Sequence, residues 1–398
     1  MTETVSEFQP TTQAELCQFL TNNAANGRRR LNAIGGATTD CQSSTSDAID
    51  VRLENLNRVI DFPARDMTIT VEAGIRMAEL TKLLATENLR LPIDVPQAEH
   101  ATLGGVIATN WSGARRFGCG TMRDYVIGIS AVDATGREFK AGGRVVKNVA
   151  GYDLCKLLVG SRGTLAFITQ VTLKLRPIPE TSALVRFTFD SLKPIDSFLE
   201  RLLTSATRPI VLDVLASPAA KPQLIVGYEG AVRETNWQIE TLLTESRPFE
   251  PLASESLVGS AADPLWKELR DFVLTPTFAT IKGSFPPSRI LEFTRLAADA
   301  GIVVQTHAGN GIVVGRLPSH VTTAEQASLK LKPLREFVRT CGGSMSVLSG
   351  PSTLATDDSM NTVSMSSLKW SKEIQQQLDP LNLLAPGNEE QRFDSVST

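Results

Sequence analysis

The chain has 398 residues, of which 42% are hydrophobic and 21% are charged, and its formal net charge is −3. This length favours two or three domains with a large core, and the balanced charge gives no reason to expect nucleic acid as a partner. No apolar run approaches the length of a membrane span, and the acidic N-terminus lacks the apolar core of a signal peptide, so we expect a cytoplasmic protein. The five cysteines are widely spaced and contain no Cys-x-x-Cys pair, which disfavours zinc or iron–sulfur ligation.

The first half of the chain alternates helix and strand. Thr12 and Glu15 have capping-box spacing, so they predict a helix that begins there and ends near Gly27. Further along, the pattern predicts strands at 31–34, 58–62, 67–71, 126–132, 137–140 and 166–176, and a helix that starts at Met77. Residues 91–120 predict a long ordered loop with a short helix at 104–110, and a loop of that length inside a domain is typically functional.

The second half begins after the proline pair at 177 and 179, where we place a domain boundary. The pattern predicts strands at 184–190, 211–215, 224–228, 302–305 and 311–317, and helices at 195–203, 233–244, 286–300, 324–340 and 367–378. This arrangement predicts an antiparallel sheet with one helical face. The expected fold class is α+β, with domains at 1–178 and 179–374 and a C-terminal segment at 375–398 that returns to the first domain.

Three turns bring small residues together after apolar runs. They are Gly35–Thr38, the pair Gly104 and Gly105, and the stretch 160–164. A glycine turn lets backbone N–H groups surround a pyrophosphate or lie against a flat ring, because no Cβ intervenes. Each turn taken alone equally suits an ordinary β-turn or a packing glycine. The near match to a Rossmann fingerprint at 309–315 is rejected, because an apolar β-type run follows it where that motif needs a helix.

Taken in chain order, several segments resemble one family. They resemble the vanillyl-alcohol-oxidase-type (PCMH-type) FAD-binding flavoproteins and, within them, the FAD-binding subunits of bacterial glycolate oxidases. The matching segments are Gly-Gly-Ala-Thr at 35–38, Val-Glu-Ala-Gly at 71–74, the flavin-facing loop segments at 91–96, 102–105, 108–113 and 116–118, the stretch 147–177, which is the strongest match, and the Leu-Asp-Pro to Pro-Gly signature at 378–387.

The resemblance implies a two-subdomain FAD-binding domain followed by an α+β cap. It also implies which residues contact FAD: Gly35, Gly36, Ala37, Thr38, Pro92, Thr102, Gly104, Gly105, Asn110, Ser112, Gly113, Gly160, Gly163, Thr164 and Ile168.

Three positions depart from the family pattern. Arg162 stands where many relatives have an acidic residue that bonds the ribose. No histidine occupies the 35–38 loop, where the family's covalent attachment falls, so we expect non-covalent FAD. In the cap, His307 matches the first histidine of a H-x-G-x-G-x-x-H motif, but Val314 takes the place of the second, so no metal site is expected. His307 remains a candidate base or carboxylate-binding residue, and a purely structural role stays open.

The resemblance leaves two main functions open, since a third, a reductase of the same fold with a nicotinamide donor, has no nicotinamide motif in the sequence. The first is a flavin-dependent oxidoreductase subunit that acts on a small 2-hydroxy acid such as glycolate, with His307 as the base. The alternative is a non-catalytic FAD-binding relay subunit that docks a catalytic flavoprotein paralogue and an iron–sulfur subunit. In the first function electrons leave through a partner subunit or a soluble acceptor, and the second function requires protein partners. An association with the membrane surface would run through such partners.

Overall fold

A computed structural model of the chain describes residues 6–38, 48–143, 153–351, 354 and 365–384. The chain forms two compact units. Unit 1 comprises Met1–Ser112, Thr121–Ile178 and Ser364–Thr398, and unit 2 comprises Gly113–Gly120 and Pro179–Val363. The sequence-based boundaries assigned all of 1–178 to the first domain and began the returning segment at 375. The structure groups Gly113–Gly120 with unit 2 instead.

The helices alternate with the strands along the described chain. They are α1 (Gln13–Asn22), α2 (Met77–Ala85), α3 (Leu103–Thr109), α4 (Arg116–Cys119), α5 (Met122–Tyr125), α6 (Leu154–Leu158), α7 (Leu192–Leu202), α8 (Val232–Ser246), α9 (Asp263–Asp271), α10 (Ile290–Asp299), α11 (Ala324–Thr340) and α12 (Met365–Leu378).

The strands range from two residues, in unit 1, to eleven residues, in unit 2. They are β1 (Glu7–Phe8), β2 (Leu31–Ile34), β3 (Ile49–Arg52), β4 (Val59–Asp61), β5 (Thr68–Glu72), β6 (Leu89–Arg90), β7 (Val126–Val132), β8 (Glu138–Gly142), β9 (Phe167–Lys174), β10 (Arg176–Pro177), β11 (Thr181–Thr188), β12 (Val211–Ser217), β13 (Ala220–Gly230), β14 (Ala253–Val258), β15 (Thr280–Ser284), β16 (Val303–His307), β17 (Ile312–Arg316) and β18 (Ser344–Ser349).

Unit 1 is built on two main sheets. A parallel three-stranded sheet has the order β1-β3-β2, and an antiparallel five-stranded sheet has the order β4-β5-β9-β7-β8. Apolar side chains of β5, β7 and β9 pack with those of α2 and α3 into one core, and α1, β2 and β3 contribute to a second. The strands at 31–34 and 126–132 lie where the sequence predicts them.

Helix α1 begins as predicted, although its capping bonds are distributed differently. The Thr12 Oγ1 accepts the N–H of Glu15 at 3.2 Å, while the Glu15 carboxylate accepts the N–H of Thr11 at 2.8 Å. In a capping box the Glu15 carboxylate would accept the N–H of Thr12, but here it accepts that of Thr11. The α-helix ends at Asn22, and a π-helical turn, Asn23–Gly27, continues to the predicted stop.

Unit 2 is an antiparallel eight-stranded sheet in the order β14-β11-β13-β12-β16-β17-β15-β18. Side chains alternate between its faces. Leu212, Val214 and Val304 face the core formed with α7, α8, α10 and α11. Val211 and the other odd-numbered side chains of β12 face the opposite side, where α9 packs through Trp266 and its neighbours. The α+β class and the antiparallel sheet are confirmed, whereas the expectation of a single helical face is wrong, because α9 covers part of the second face.

Five elements of unit 2 were absent from the sequence prediction: α4, α9, β14, β15 and β18. β14 is exposed along most of its length, and its alternating Ser-Glu-Ser pattern gives little apolar signal. β15 carries Gly283 next to its C-terminal residue, and β18 is rich in serine. Their strand conformation depends on cross-strand pairing, which local sequence does not report.

Candidate active site

In unit 1, three of the predicted cofactor-binding turns converge on helix α3. The N–H groups of Gly36 and Gly105 both donate to Thr102 Oγ1, each at 3.3 Å, so the loop after β2 is held against the N-terminus of α3. At the other end of α3, the Gly160 N–H donates to the Ile107 carbonyl at 3.0 Å, and the Arg162 N–H donates to that of Ala108 at 2.9 Å. Segments far apart in sequence therefore form one cradle of backbone.

The cradle depends on the absence of side chains at its closest points. A Cβ added at Gly36 would lie 1.8 Å from the His100 carbonyl oxygen, and one at Gly35 would lie 2.3 Å from Thr102 Oγ1. Gly163 has a φ of +79°, and a Cβ there would come within 3.0 Å of the Ala33 Cβ. Glycine is required at these positions for close approach and for left-handed backbone.

The cradle also contains buried polar atoms that lack partners. Asn110 Oδ1 and Ser161 Oγ are buried, and neither has a hydrogen-bond partner within the described part of the chain. They belong to adjoining segments, because a Cβ at Gly160 would lie 3.7 Å from the Asn110 Cβ. Buried polar groups are normally satisfied, so these atoms indicate a polar ligand. The combination of close-approaching backbone and unsatisfied polar atoms fits a dinucleotide such as FAD.

Other predicted cofactor residues have visible structural roles. Thr102 caps α3, and Thr164 Oγ1 donates to the Ser161 carbonyl at 2.8 Å. Ser112 Oγ accepts the Met122 N–H at 3.3 Å. Ile168 is buried in the core of unit 1.

The remaining positions are backbone sites or lie at the edge of what the structure describes. Gly104 packs on β5, since its N–H donates to the Ala73 carbonyl at 2.7 Å. Pro92 precedes Asp94, whose carbonyl accepts the Trp111 Nε1–H at 2.8 Å. Gly113 belongs to unit 2, with a φ of 69°. Ala37 has a φ of 48°, and Thr38 closes the first described range. The predicted motif residues 147–152 and 385–387 lie outside the described residues.

In unit 2, His307 is held by an acidic side chain on the neighbouring strand. His307 in β16 and Asp213 in β12 are cross-strand partners, and His307 Nδ1 lies 2.7 Å from Asp213 Oδ1. Gln305 Nε2 donates to the other carboxylate oxygen, Oδ2, at 2.8 Å. Asp213 is 1% exposed and His307 is 7% exposed. The three side chains lie on the face of the sheet opposite the main helical core.

This arrangement orients the imidazole. Asp213, as a carboxylate, accepts from both neighbours, so the His307 Nδ1 carries the proton of that hydrogen bond and Nε2 is left as an acceptor. The proton position is assigned from the chemistry of the pair. A neutral histidine whose Nδ1–H is fixed by a carboxylate can take a proton at Nε2.

Helix α4 lies against the same two strands. The Gly118 N–H donates to the Ile210 carbonyl, which leads into β12, at 3.1 Å. The ring of Phe117 packs on Gly309, where an added Cβ would lie 2.2 Å from it. Arg116 is half-buried, and its charge interacts with that of Asp213. Burial lowers the pKa of the Arg116 guanidinium, and the negative charge of Asp213 partly opposes this shift.

The position of the second histidine of the cap motif is filled by Val314. It lies in β17, opposite Gln305, and is buried. Among the described residues, no group of three or more His, Cys, Asp or Glu side chains is arranged to hold a metal ion. The residues around His307 therefore do not fit the metal site of the family motif.

Sequence reasoning found His307 but missed Asp213 and Gln305. The available signal was a single acidic residue inside the apolar run Val-Leu-Asp-Val-Leu at 211–215. The sequence places Arg116 in the flavin-facing loop that resembles the family, whereas the structure groups it with unit 2.

Comparisons with known proteins find an FAD-binding domain in the first part of the chain. Residues 7–142 match the family described as FAD binding domain. The glycolate oxidase subunit GlcD of Bacillus subtilis is 29% identical over 218 residues, which are 54% of this chain and 46% of GlcD. The glycolate oxidase subunit GlcE of Escherichia coli is 26% identical over 347 residues, 86% of this chain and 87% of GlcE. A D-lactate dehydrogenase of Archaeoglobus fulgidus is 27% identical over 86% of this chain and 81% of its own.

The fold also matches a solved structure. An alkyldihydroxyacetonephosphate synthase superposes with a TM-score of 0.67 at 18% identity, covering 96% of this chain and 76% of that one. The chain thus has the PCMH-type α+β fold, carries an FAD-binding domain and is homologous to GlcD and GlcE at moderate identity. Its relatives include glycolate oxidase subunits and a D-lactate dehydrogenase, and the prediction of FAD as cofactor is confirmed. No helix in the described ranges is long and apolar enough to span a bilayer.

Proposed function

We propose that this chain is the FAD-binding subunit of a glycolate-oxidase-type complex and that it oxidises a small 2-hydroxy acid. The observation that carries the proposal is the buried pair formed by Asp213 and His307, with Nδ1 and Oδ1 2.7 Å apart. The names of the relatives support the substrate class, because they include glycolate oxidase, D-lactate dehydrogenase and D-2-hydroxyglutarate dehydrogenase.

FAD supplies a two-electron acceptor for the hydride on the substrate α-carbon. The chain's own task is to remove the hydroxyl proton, and His307 Nε2 accepts it. As the C–H and O–H bonds break, the alcohol carbon becomes a carbonyl, so the product is a 2-oxo acid. Asp213 stabilises the imidazolium that forms, since its carboxylate accepts the Nδ1–H.

The cofactor-binding residues are proposed to be those of the cradle, with Asn110 and Ser161 as its side-chain contacts. The loop Gly35–Thr38 contains no histidine for covalent attachment, so FAD is held non-covalently. Acid precipitation of the purified yellow protein should therefore release all of the flavin into the supernatant. Colour that remains on the washed pellet would contradict this expectation.

The partners are proposed from the relatives, two of which are named as subunits. An iron–sulfur subunit would take electrons from the flavin, because the sequence contains no Cys-x-x-Cys pair of its own. A catalytic flavoprotein paralogue is the second proposed partner, as the relay alternative requires. A cytoplasmic location, with any contact to the membrane surface made through those partners, completes this proposal.

The decisive test is anaerobic. The purified holoprotein is mixed with glycolate or D-lactate, and the flavin absorbance is followed without any other protein present. Bleaching by one of these acids, and none by acetate, supports catalysis by this chain. A flavin that stays oxidised with every 2-hydroxy acid tested would refute it.

A second candidate, a non-catalytic relay subunit, is favoured by one observation. Val314 replaces the second histidine of the cap motif, so a site that relatives complete with two histidines is incomplete here. A relay subunit would not bleach alone. Within an assembled complex, its His307→Ala variant would turn over like the wild type, whereas a catalytic subunit would not.

A further inference from the structure

We propose that Arg116 is the anchor for the substrate carboxylate, in a site of unit 2 that also contains Asp213 and His307. This inference deepens the proposed function and rests on it for the identity of the substrate. The residues around Arg116 define the binding site, and its test measures ligand binding without turnover.

The two residues that follow Arg116 hold its backbone in place. Phe117 packs against Gly309 in the turn that follows His307, and Gly118 is hydrogen-bonded to Ile210 at the start of β12. The backbone at 116 is therefore fixed against the strand ends that carry Asp213 and His307. An anchor that does not need to be ordered on binding loses less affinity to entropy.

The guanidinium of Arg116 lacks the partner that a buried cation normally has. Its Nε is buried without a hydrogen-bond acceptor, and no ion pair to Arg116 occurs within the described ranges. Asp213 attracts it, but both Asp213 oxygens already accept hydrogen bonds, from His307 and Gln305. A desolvated guanidinium is costly unless an anion completes it.

The preceding residue, Arg115, is an arginine of the same unit whose guanidinium has a carboxylate partner. Arg115 Nε lies 2.7 Å from Glu229 Oε1, and its guanidinium stacks on the Trp266 ring at 3.6 Å. Both arginines are half-buried on the same short segment, yet only Arg115 has a carboxylate partner. Glu229 therefore pairs with Arg115, whereas the guanidinium of Arg116 is available to a ligand.

The chemistry of the site selects a small carboxylate with an adjacent hydroxyl. A guanidinium binds a carboxylate through two parallel N–H···O bonds. His307 Nε2 is the acceptor for a hydroxyl, and a 2-hydroxy acid carries its hydroxyl on the carbon next to the carboxylate. Asn310, in the turn that packs on α4, adds a second buried polar atom without a partner, its Oδ1.

Oxalate is a suitable probe, since it has a carboxylate at each end and no C–H bond to oxidise. Isothermal titration of the holoprotein should show oxalate binding that Arg116→Gln weakens by about 10-fold or more, the scale of a charge-assisted hydrogen bond. Arg116→Lys, which keeps the charge and loses the planar fork, should bind with intermediate affinity. FAD content should stay at the wild-type level in both variants.

Arg316 provides the matched control. It is also half-buried and stacks on Phe272 at 4.3 Å, and burial likewise lowers its pKa, but it lies at the opposite end of β17 from the partner of His307. Arg316→Gln should bind oxalate like the wild type. The proposal is overturned if the wild type does not bind oxalate, if Arg116→Gln binds it normally, or if Arg316→Gln weakens it equally. If Arg116→Gln does not fold, unchanged affinity in Arg116→Lys overturns it instead.

The titration also separates this inference from the proposed function. Suppose that oxalate binding depends on Arg116 but that no 2-hydroxy acid reduces the flavin. The carboxylate site would then be supported, and catalysis by this chain would be refuted. If glycolate bleaches the flavin and Arg116→Gln binds oxalate like the wild type, catalysis would be supported and the carboxylate site at Arg116 would be refuted.

Discussion

The two units build their candidate sites from different materials. In unit 1 the cradle is made of backbone, at turns where a Cβ would collide with a neighbouring carbonyl or hydroxyl. In unit 2 the site is made of side chains that project from adjacent strands and from α4. The difference teaches that backbone sites leave a local trace in the sequence as glycines, whereas side-chain sites on paired strands leave almost none.

The sharpest test of the backbone cradle is Gly36→Val. The added Cβ would lie 1.8 Å from the His100 carbonyl oxygen, so the loop must move away from α3. We expect FAD binding to weaken by at least about 2 kcal/mol, the scale of strained backbone, which is about 30-fold in dissociation constant. The measurement is the ratio of flavin to protein absorbance after gel filtration.

Gly143→Ala is the control for that experiment, because nothing lies within 4 Å of a Cβ at this position. Gly163→Val should behave like Gly36→Val, since its φ is +79°. A folded Gly36→Val protein with a full complement of FAD would show that these glycines serve packing alone.

The corresponding test of the side-chain site is His307→Ala. FAD should stay bound, because His307 belongs to unit 2, while anaerobic flavin reduction should slow by about 10²-fold or more, the scale of a lost general base. His320→Ala, which changes an exposed histidine of the same unit, should reduce at the wild-type rate. Loss of FAD from His307→Ala would assign this histidine a structural role.

A smaller effect is expected from Asp213→Asn. The amide cannot stabilise the protonated imidazole as the carboxylate does, so the limiting rate of flavin reduction should fall by about 10-fold, the worth of a hydrogen bond to a charged group. The substrate concentration at half-saturation should change little, because Asp213 acts through His307. Asp190→Asn, an exposed acid that pairs with Lys221, is the control. A rise in the half-saturating concentration with an unchanged limiting rate would contradict this positioning role.

The last prediction concerns stability in unit 1. The buried Asp379 carboxylate accepts the N–H groups of Leu383 at 2.9 Å and Leu384 at 2.7 Å, and the Leu31 N–H of β2 donates to the Leu383 carbonyl at 2.7 Å. Asp379→Ala should lower the free energy of unfolding by about 1–3 kcal/mol, the cost of buried N–H groups left unpaired. Urea unfolding measures this, and Asp379→Asn, which keeps one oxygen acceptor, should lose less. If Asp379→Ala is as stable as the wild type, the hydrogen bonds of Asp379 do not stabilise unit 1.

Much of the fold was predictable because its signals are local. The helix at Ala324–Thr340 has an apolar stripe of helical period and a Thr323 cap, and its bounds were predicted from these features. Strands 31–34 and 126–132 are short apolar runs between turn residues, and they form as predicted. Elements whose residues are polar or glycine-containing, such as β14 and β15, were missed, since only their partners in the sheet hold them extended.

The sequence by itself determined the class of fold and the cofactor, through motifs that resemble one family, and it located the glycines of the cradle, because each glycine turn is a local pattern. Only the tertiary structure decided that Asp213 lies beside His307, 94 residues away, and that Arg116 belongs with unit 2. The pairing follows from β12 and β16 being neighbours in a sheet whose register is set by burial of one face. That burial places Asp213, Gln305 and His307 together on the other face, and no local pattern encodes a contact between distant strands.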